Sequence, residues 1–201
     1  MKYFLSVLAL SLTTMFAWAQ PNSLGPAIGA NFSSVSNLGD NNTKLSFGPT
    51  IGINYIYSNE QKLGLGIGLF FSQEGFALKN DLKDAKVQLN YLRVPLKGIY
   101  FFNTLAYRFR PKVFLGPSLG FLLSSYNKND DDRVEIKDDR YQSFDLGVTG
   151  GLGFNYKLAS RTWLNLDLAY TQGLLSINDV DDNINRLNQN IGATIGISFG
   201  F

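Results

Sequence analysis

Between Leu45 and Tyr57 the odd positions carry Leu, Phe, Pro, Ile, Ile, Tyr and Tyr, while the even positions between them carry Ser46, Gly48, Thr50, Gly52, Asn54 and Ile56. A period of two puts the first set on one face of an extended strand and the second set on the other. The split recurs along the chain. Leu63, Leu65, Ile67, Leu69 and Phe71 alternate with Gly64, Gly66, Gly68, Phe70 and Ser72. Phe144, Leu146, Val148, Leu152, Phe154 and Tyr156 alternate with Asp145, Gly147, Thr149, Gly151, Gly153 and Asn155, and the last such run places Ile191, Ala193, Ile195, Ile197, Phe199 and Phe201 opposite Gly192, Thr194, Gly196, Ser198 and Gly200.

Eight segments follow this rule, at about 24–34, 45–58, 62–74, 87–102, 111–125, 143–158, 162–175 and 188–201. The connections alternate too: long and polar near 35–44, 75–86, 126–142 and 176–187, short near 59–61, 103–110 and 159–161. The expected fold is all-β, an eight-stranded antiparallel up-and-down barrel. In an outer membrane such a barrel has short periplasmic turns and long extracellular loops, and an even strand count puts both termini on the periplasmic side. No segment after the leader has the length of uninterrupted apolar sequence that a spanning helix needs, and no fixed-period repeat of solenoid or propeller type is present.

Which face points outward decides the class. A soluble barrel buries its apolar row inside, whereas a membrane barrel turns it to lipid. The interior of an eight-stranded barrel is only just wide enough for side chains to fill. Rows of Leu, Ile, Phe and Tyr therefore fit the outside, and rows of Gly, Ser, Thr and Asn fit the lumen. Charged residues fall on the small-residue rows: Glu74, Arg93, Lys97, Asp145, Lys157 and Asp167. Buried charges are tolerated when paired, so these six are expected to form a structural network in a polar, filled lumen. On the apolar rows, Tyr55, Tyr57, Tyr100, Phe102, Phe154, Tyr156, Phe199 and Phe201 collect at one end of the strands, and Phe32, Phe47, Phe71, Phe144 and Tyr170 at the other. Rings with one apolar and one wet end favour the membrane boundary, so these rows read as two girdles.

The first residues form an expected secretory signal. Lys2 is a short basic region, Phe4 to Phe16 is apolar apart from small hydroxyl residues, and Ala17-Trp18-Ala19 supplies a cleavage site. Two domains in the linear sense result: residues 1–19, removed, and residues 20–201, the barrel. Without Lys2 the chain holds 17 of its 18 basic residues against 16 acidic ones. Near-neutrality gives no basic stripe for nucleic acid.

A resemblance attaches to the fourth segment, Leu89-Asn90-Tyr91-Leu92-Arg93-Val94-Pro95-Leu96-Lys97-Gly98. It resembles a segment of the PorT-like outer-membrane β-barrel proteins of Bacteroidota, as do Gly116-Pro117-Ser118-Leu119-Gly120, Phe144-Asp145-Leu146-Gly147 with Gly151-Leu152-Gly153, and Ile195-Gly196-Ile197-Ser198-Phe199-Gly200-Phe201. Arg93 departs from the family pattern, where an acidic residue is common. The resemblance implies a barrel in the outer membrane. It also makes the terminal Phe201 similar to the signal that barrel-assembly machinery reads.

Catalytic chemistry has little to work with. The chain contains no His and no Cys, which removes the usual zinc sites and the Ser-His-Asp and Cys-His constellations. Asp145 and Asp167 are candidates for paired carboxylates on neighbouring strands, with structural ion pairs to Arg93, Lys97 or Lys157 the simpler expectation. Asp179-Val180-Asp181-Asp182-Asn183 begins like a calcium loop, but Ile184 stands where Gly is required and Asn190 where Glu is required. The acidic and basic residues between Asn127 and Arg140 read as a solvated loop. No metal, cofactor or enzyme activity is expected. The leading functional expectation is a structural or docking component, a small subunit of a larger secretion, assembly or uptake complex. A narrow pore or small-solute binder is the alternative, and a lipid-modifying enzyme ranks last. The expected partners are outer-membrane lipids including lipopolysaccharide, the assembly machinery, and other outer-membrane proteins.

Overall fold

The computed structural model describes residues 22–36, 43–59, 61–79, 84–129, 132–135, 141–177 and 186–201. Residues 1–19, expected to be a leader, the segment Asp179–Asn183, and residues 130–131 and 136–140 of the charged loop lie outside the described residues. All regular structure among the described residues is strand: β1 (Asn22–Val35), β2 (Thr43–Ser58), β3 (Leu63–Lys79), β4 (Asp84–Phe101), β5 (Phe109–Asn129), β6 (Asp132–Glu135), β7 (Phe144–Ala159), β8 (Thr162–Ser176) and β9 (Leu187–Gly200).

Every neighbouring pair is antiparallel, and the ring closes through β1 with β9 and β4 with β5. Eight strands make the wall, while β6 is a short hairpin partner of the far end of β5. Closure removes the sheet edges that would otherwise recruit other chains. Following the register from Leu24 through Tyr55, Ile67 and Leu96, across β5 to Val148, Gln172 and Gln189, returns to β1 at Ser34, ten residues further on. That stagger tilts the strands steeply and leaves a lumen that side chains can fill. Asn22 and Phe201 meet at one end, where Phe201 N donates to Asn22 O. We call this end the terminal rim and the opposite end the distal rim.

The alternation sorts the side chains as its volumes require. Ile28, Ile51, Leu65, Leu115, Leu152 and Ile195 face outward and are exposed along the middle of the wall, whereas Thr50, Ser72, Ser118, Thr149, Asn165 and Ser198 are buried inside. The space for larger lumenal side chains comes from glycines beside them, on a neighbouring strand or on the same one. A Cβ at Gly120 would lie 2.5 Å from Arg93 Nη1, and one at Gly68 2.5 Å from the Phe70 ring.

The strands run further than the alternation indicates on the distal side. β3 continues to Lys79 and β4 begins at Asp84, so the connection expected over 75–86 shrinks to 80–83. Similarly, β5 continues to Asn129. Gly75, with φ 134°, carries β3 through an irregular step, a backbone region open mainly to glycine. Beyond it the polar-inside rule reverses: Val35, Phe76, Val87, Leu89, Tyr91 and Ile177 form a buried apolar cluster inside the distal end. This end of the barrel is filled by an ordinary apolar core, so the polar-inside half of the period-two signal fades there.

Candidate functional site

The lumen is layered. In the distal half, β3 supplies Glu74, β4 Arg93 and β7 Asp145, all turned inward. Arg93 Nε donates to Glu74 Oε1 at 2.8 Å and Nη2 to Oε2 at 2.6 Å, the bidentate fit a guanidinium offers a carboxylate. Its Nη2 also stands 2.7 Å from Asp145 Oδ2, close enough for an ion pair although off the hydrogen-bond direction. Ser72 Oγ donates to Glu74 Oε1 at 2.8 Å and Asn188 Nδ2 to Oε2 at 2.5 Å, while Asn31 Nδ2 donates in turn to Ser72 at 2.8 Å. Glu74 is thus surrounded by donors. Tyr91 lies against the other side of the guanidinium, 4.6 Å from ring centroid to Cζ. Its buried hydroxyl has no hydrogen-bond partner among the described residues, nor have Arg93 Nη1 and Asp145 Oδ1.

Nearer the terminal rim is a second cluster. Asp167 on β8 receives Lys97 Nζ of β4 at 3.2 Å on Oδ2 and faces Lys112 Nζ of β5 at 2.7 Å on Oδ1. Lys97 Nζ also lies 4.5 Å from the Phe114 ring centroid, a favourable cation–π contact. Between the clusters is a cavity of about 90 Å³, lined by charges of both sets and by hydroxyl and amide groups including Asn31, Thr50, Ser118, Thr149 and Thr194. Such a space suits a few waters bridging polar groups. Apolar layers bound it on both sides: Ile56, Ile99, Phe101 and Phe114 towards the terminal rim, and the Tyr91 cluster towards the distal rim.

Five of the six charges expected in the lumen therefore fall into two separate groups. Asp145 and Asp167 sit on adjacent strands but belong to different groups, so they do not form a carboxylate pair. Lys157 is not joined to either: it is half-buried at the terminal rim, its Nζ 5.6 Å from the Trp163 ring centroid, and no described carboxylate pairs with it. Its row is inward, but the strand ends before a partner comes within reach. Two inward cations were missed, Lys112 and Arg110. The parity of β5 was the available signal, since Lys112 shares its row with Phe114, Gly116, Ser118 and Gly120. Pro111, Gly116 and Pro117 obscured it.

The aromatic residues expected at the terminal end lie at that rim. Tyr57, Tyr100, Phe102, Tyr156 and Phe199 are exposed on the outer face, joined there by Tyr107 and Phe109. Their rings pack on one another: Tyr100 with Phe102 at 5.5 Å, Phe109 with Phe154 at 5.3 Å, Tyr55 with Phe201 at 6.4 Å. Towards the distal rim, Phe32 packs on Phe47 and Phe121 on Phe144, each at 5.5 Å. Exposed aliphatic residues occupy the wall between the two belts.

A closed eight-stranded barrel that is apolar outside, girdled at both ends and polar within is the architecture of a transmembrane β-barrel. Comparison with known proteins agrees. The chain belongs to the outer membrane protein beta-barrel domain family, whose pattern matches residues 18–179. It is similar in fold to the outer membrane protein OprG from Pseudomonas aeruginosa, with 18% identity over 91% of this chain and 96% of that one and a TM-score of 0.53. Neisserial surface protein A gives 16% identity, 89% and 97% coverage and a TM-score of 0.51. A major outer membrane protein from Thermus thermophilus gives 13% identity, 89% and 98% coverage and a TM-score of 0.51. No curated protein matches the sequence. The protein is thus an outer-membrane barrel.

Proposed function

We propose that this barrel is a non-catalytic structural or docking component of the outer membrane, a small subunit of a larger secretion, assembly or uptake complex. One observation carries the reading: the polar cavity is small, lies between two buried apolar clusters, and the charges around it are paired with each other. A lumen so filled supports contact with other molecules at the outer wall, the rims and the loops over passage of solutes through the barrel.

In this reading the terminal rim faces the periplasm and the distal loops face outward, residues 1–19 are removed on export, and Phe201 ends the strand that the assembly machinery engages. The surrounding lipids, lipopolysaccharide among them, contact the exposed aliphatic band. A place among the PorT-like barrels of Bacteroidota is supported by the Leu89–Gly98 segment and the Gly-rich motifs of β5, β7 and β9.

Purification from native membranes in mild detergent is the decisive test. Co-migration with other outer-membrane proteins in a particle larger than the monomer is the expected result. A protein that always runs alone at its monomer mass would sink the subunit reading.

A further inference from the structure

The charges divide by height. Inside the barrel, Glu74, Asp145 and Asp167 are balanced by Arg93, Lys97 and Lys112. The side chains of the terminal rim are not balanced. Its described residues include Lys62, Arg108, Arg110, Lys157 and Arg161 but no Asp or Glu, and the one acid of those turns, Glu60, lies outside the described residues.

Arg110 is the residue that gives this imbalance a chemical meaning. It is 1% exposed and turned into the mouth of the barrel. Its Cζ lies 3.8 Å from the Phe101 ring centroid and 5.8 Å from that of Trp163. Nε donates to Asn103 O at 3.1 Å and Nη2 to Ser58 Oγ at 2.9 Å. Both acceptors are neutral. Lys157 Nζ approaches the same Trp163 ring. The two lumenal clusters match each buried cation with a carboxylate, as burial requires, whereas here two cations share an indole and no described carboxylate.

We propose that the terminal mouth is a carboxylate-binding site, with Arg110 as the pairing group and Lys157 as the second charge, occupied by an acidic side chain or chain end of a protein partner. The planar guanidinium, packed over the Phe101 ring, presents an edge that matches a planar carboxylate. Arg110 lies on the inward row of β5, behind the wall whose outer face carries Phe109 and Tyr156. The wall separates it from a lipid headgroup beside the outer face, so the occupant enters along the barrel axis and, with Arg110 only 1% exposed, reaches it by displacing a neighbour. The entering oxygen takes the place of the neutral Asn103 carbonyl, which belongs to the turn between β4 and β5 at the rim. This site deepens the docking reading and rests on it.

Trp163 supplies the readout. The sequence contains two tryptophans, Trp18 and Trp163; removal of residues 1–19 on export leaves Trp163 to report the mouth, and Trp18→Phe silences any uncleaved fraction. Hexaglutamate titrated into the detergent-solubilised barrel is expected to change Trp163 emission saturably, and hexaglutamine is expected to leave it unchanged. Arg110→Gln is expected to weaken the response about tenfold or more, as loss of a buried charge partner does, and Lys157→Gln to weaken it less. The gel shift between folded and heat-unfolded protein confirms that each variant is folded, and should Arg110→Gln not fold, Lys157→Gln and Glu60→Gln carry the test.

The proposal is overturned by an absent or unsaturable response, by the same response to sodium chloride at equal ionic strength, or by variants that bind as tightly as the parent. It is also overturned if inorganic phosphate or phosphatidylglycerol micelles reproduce the change when hexaglutamate does not, which assigns the mouth to a phosphate. A large gain in hexaglutamate affinity in Glu60→Gln makes Glu60 the internal counter-ion and overturns an external one. Native purification that returns only the monomer removes the docking reading alone; a failed titration beside a co-purifying partner removes the carboxylate site alone.

Discussion

Arg93 and Glu74 meet through two hydrogen bonds of 2.8 and 2.6 Å deep inside the barrel, and Asp145 Oδ2 stands 2.7 Å from the same Nη2 that bonds Glu74. The pair bridges β3 and β4, and Asp145 extends the tie past β5 to β7. Charges withdrawn from water gain little when complete and cost much when broken, because the remaining partner stays buried without compensation. Arg93→Met leaves two carboxylates facing each other. It is expected to destabilise the barrel by about 3–5 kcal/mol, read as a lower urea midpoint in lipid vesicles and a lower temperature for the folded-to-unfolded gel shift.

Asp167 and Lys157 make a paired comparison. Asp167→Leu strands Lys97 and Lys112 together inside the wall and is expected to cost about 3–5 kcal/mol. Lys157→Leu removes a half-buried rim cation that has no described carboxylate partner and is expected to fall within about 0.5 kcal/mol of the parent. Equal losses in unfolding free energy for the two variants would contradict the layered charge arrangement.

Glycine placement gives a steric prediction. Gly120 faces the Arg93 guanidinium, where an added Cβ would lie 2.5 Å from Nη1, whereas Gly98 is exposed on the outer wall, where the nearest atom would be Leu115 O at 3.5 Å. Gly120→Val must push Arg93 off its carboxylates and is expected to cost about 1–3 kcal/mol. Gly98→Ala adds a methyl group in ordinary van der Waals contact and is expected to be neutral within about 0.5 kcal/mol. Thermal unfolding in a common detergent ranks the two.

The strand count, the facing of each row and the girdles were legible because lipid on one side and a narrow interior on the other leave a simple rule for every position. Leu65, Ile67 and Leu69 against Gly64, Gly66 and Gly68 obey it without exception. What was not legible is where that rule stops applying. Phe76, Val87 and Leu89 point inward although they are apolar, since the barrel interior there is a conventional buried core. Their alternation has little contrast, and the segment 75–86 read as a loop. Pairing within the lumen was hidden for another reason. Lys97 and Asp167 are 70 residues apart in sequence, and only the stagger of the closed barrel puts them at one height.

The outward face makes its own prediction. Leu152 is 59% exposed near the middle of the apolar wall, a position that water would tolerate as Arg with little change. In a bilayer the same charge sits at the hydrocarbon midplane, where Arg costs about 2–4 kcal/mol in transmembrane barrels and far less near the interfaces. Leu152→Arg is therefore expected to lower stability by about that amount in lipid vesicles, and Phe199→Arg at the terminal girdle by about 0–1 kcal/mol. An increase in solubility without loss of stability in either variant would contradict a lipid-facing wall.

The two apolar layers predict an electrically silent barrel. The cavity of about 90 Å³ holds room for a few waters but lies between the Phe101 layer and the Tyr91 layer, both of which contain fully buried rings. An ion crossing it would have to shed its hydration at each layer and break the pairing at Arg93 or Asp167. Planar-bilayer recording of the parent is expected to show no steady conductance. Truncating one layer leaves the other in place, so Phe101→Ala and Tyr91→Ala are each expected to remain silent while losing about 3–5 kcal/mol of stability as large buried rings are removed. The double variant, if its gel shift shows it folded, removes a ring from both barriers and is expected to conduct in brief openings. Steady conductance in the parent would refute the closed lumen outright, and with it the inference that the barrel works through its outer surfaces.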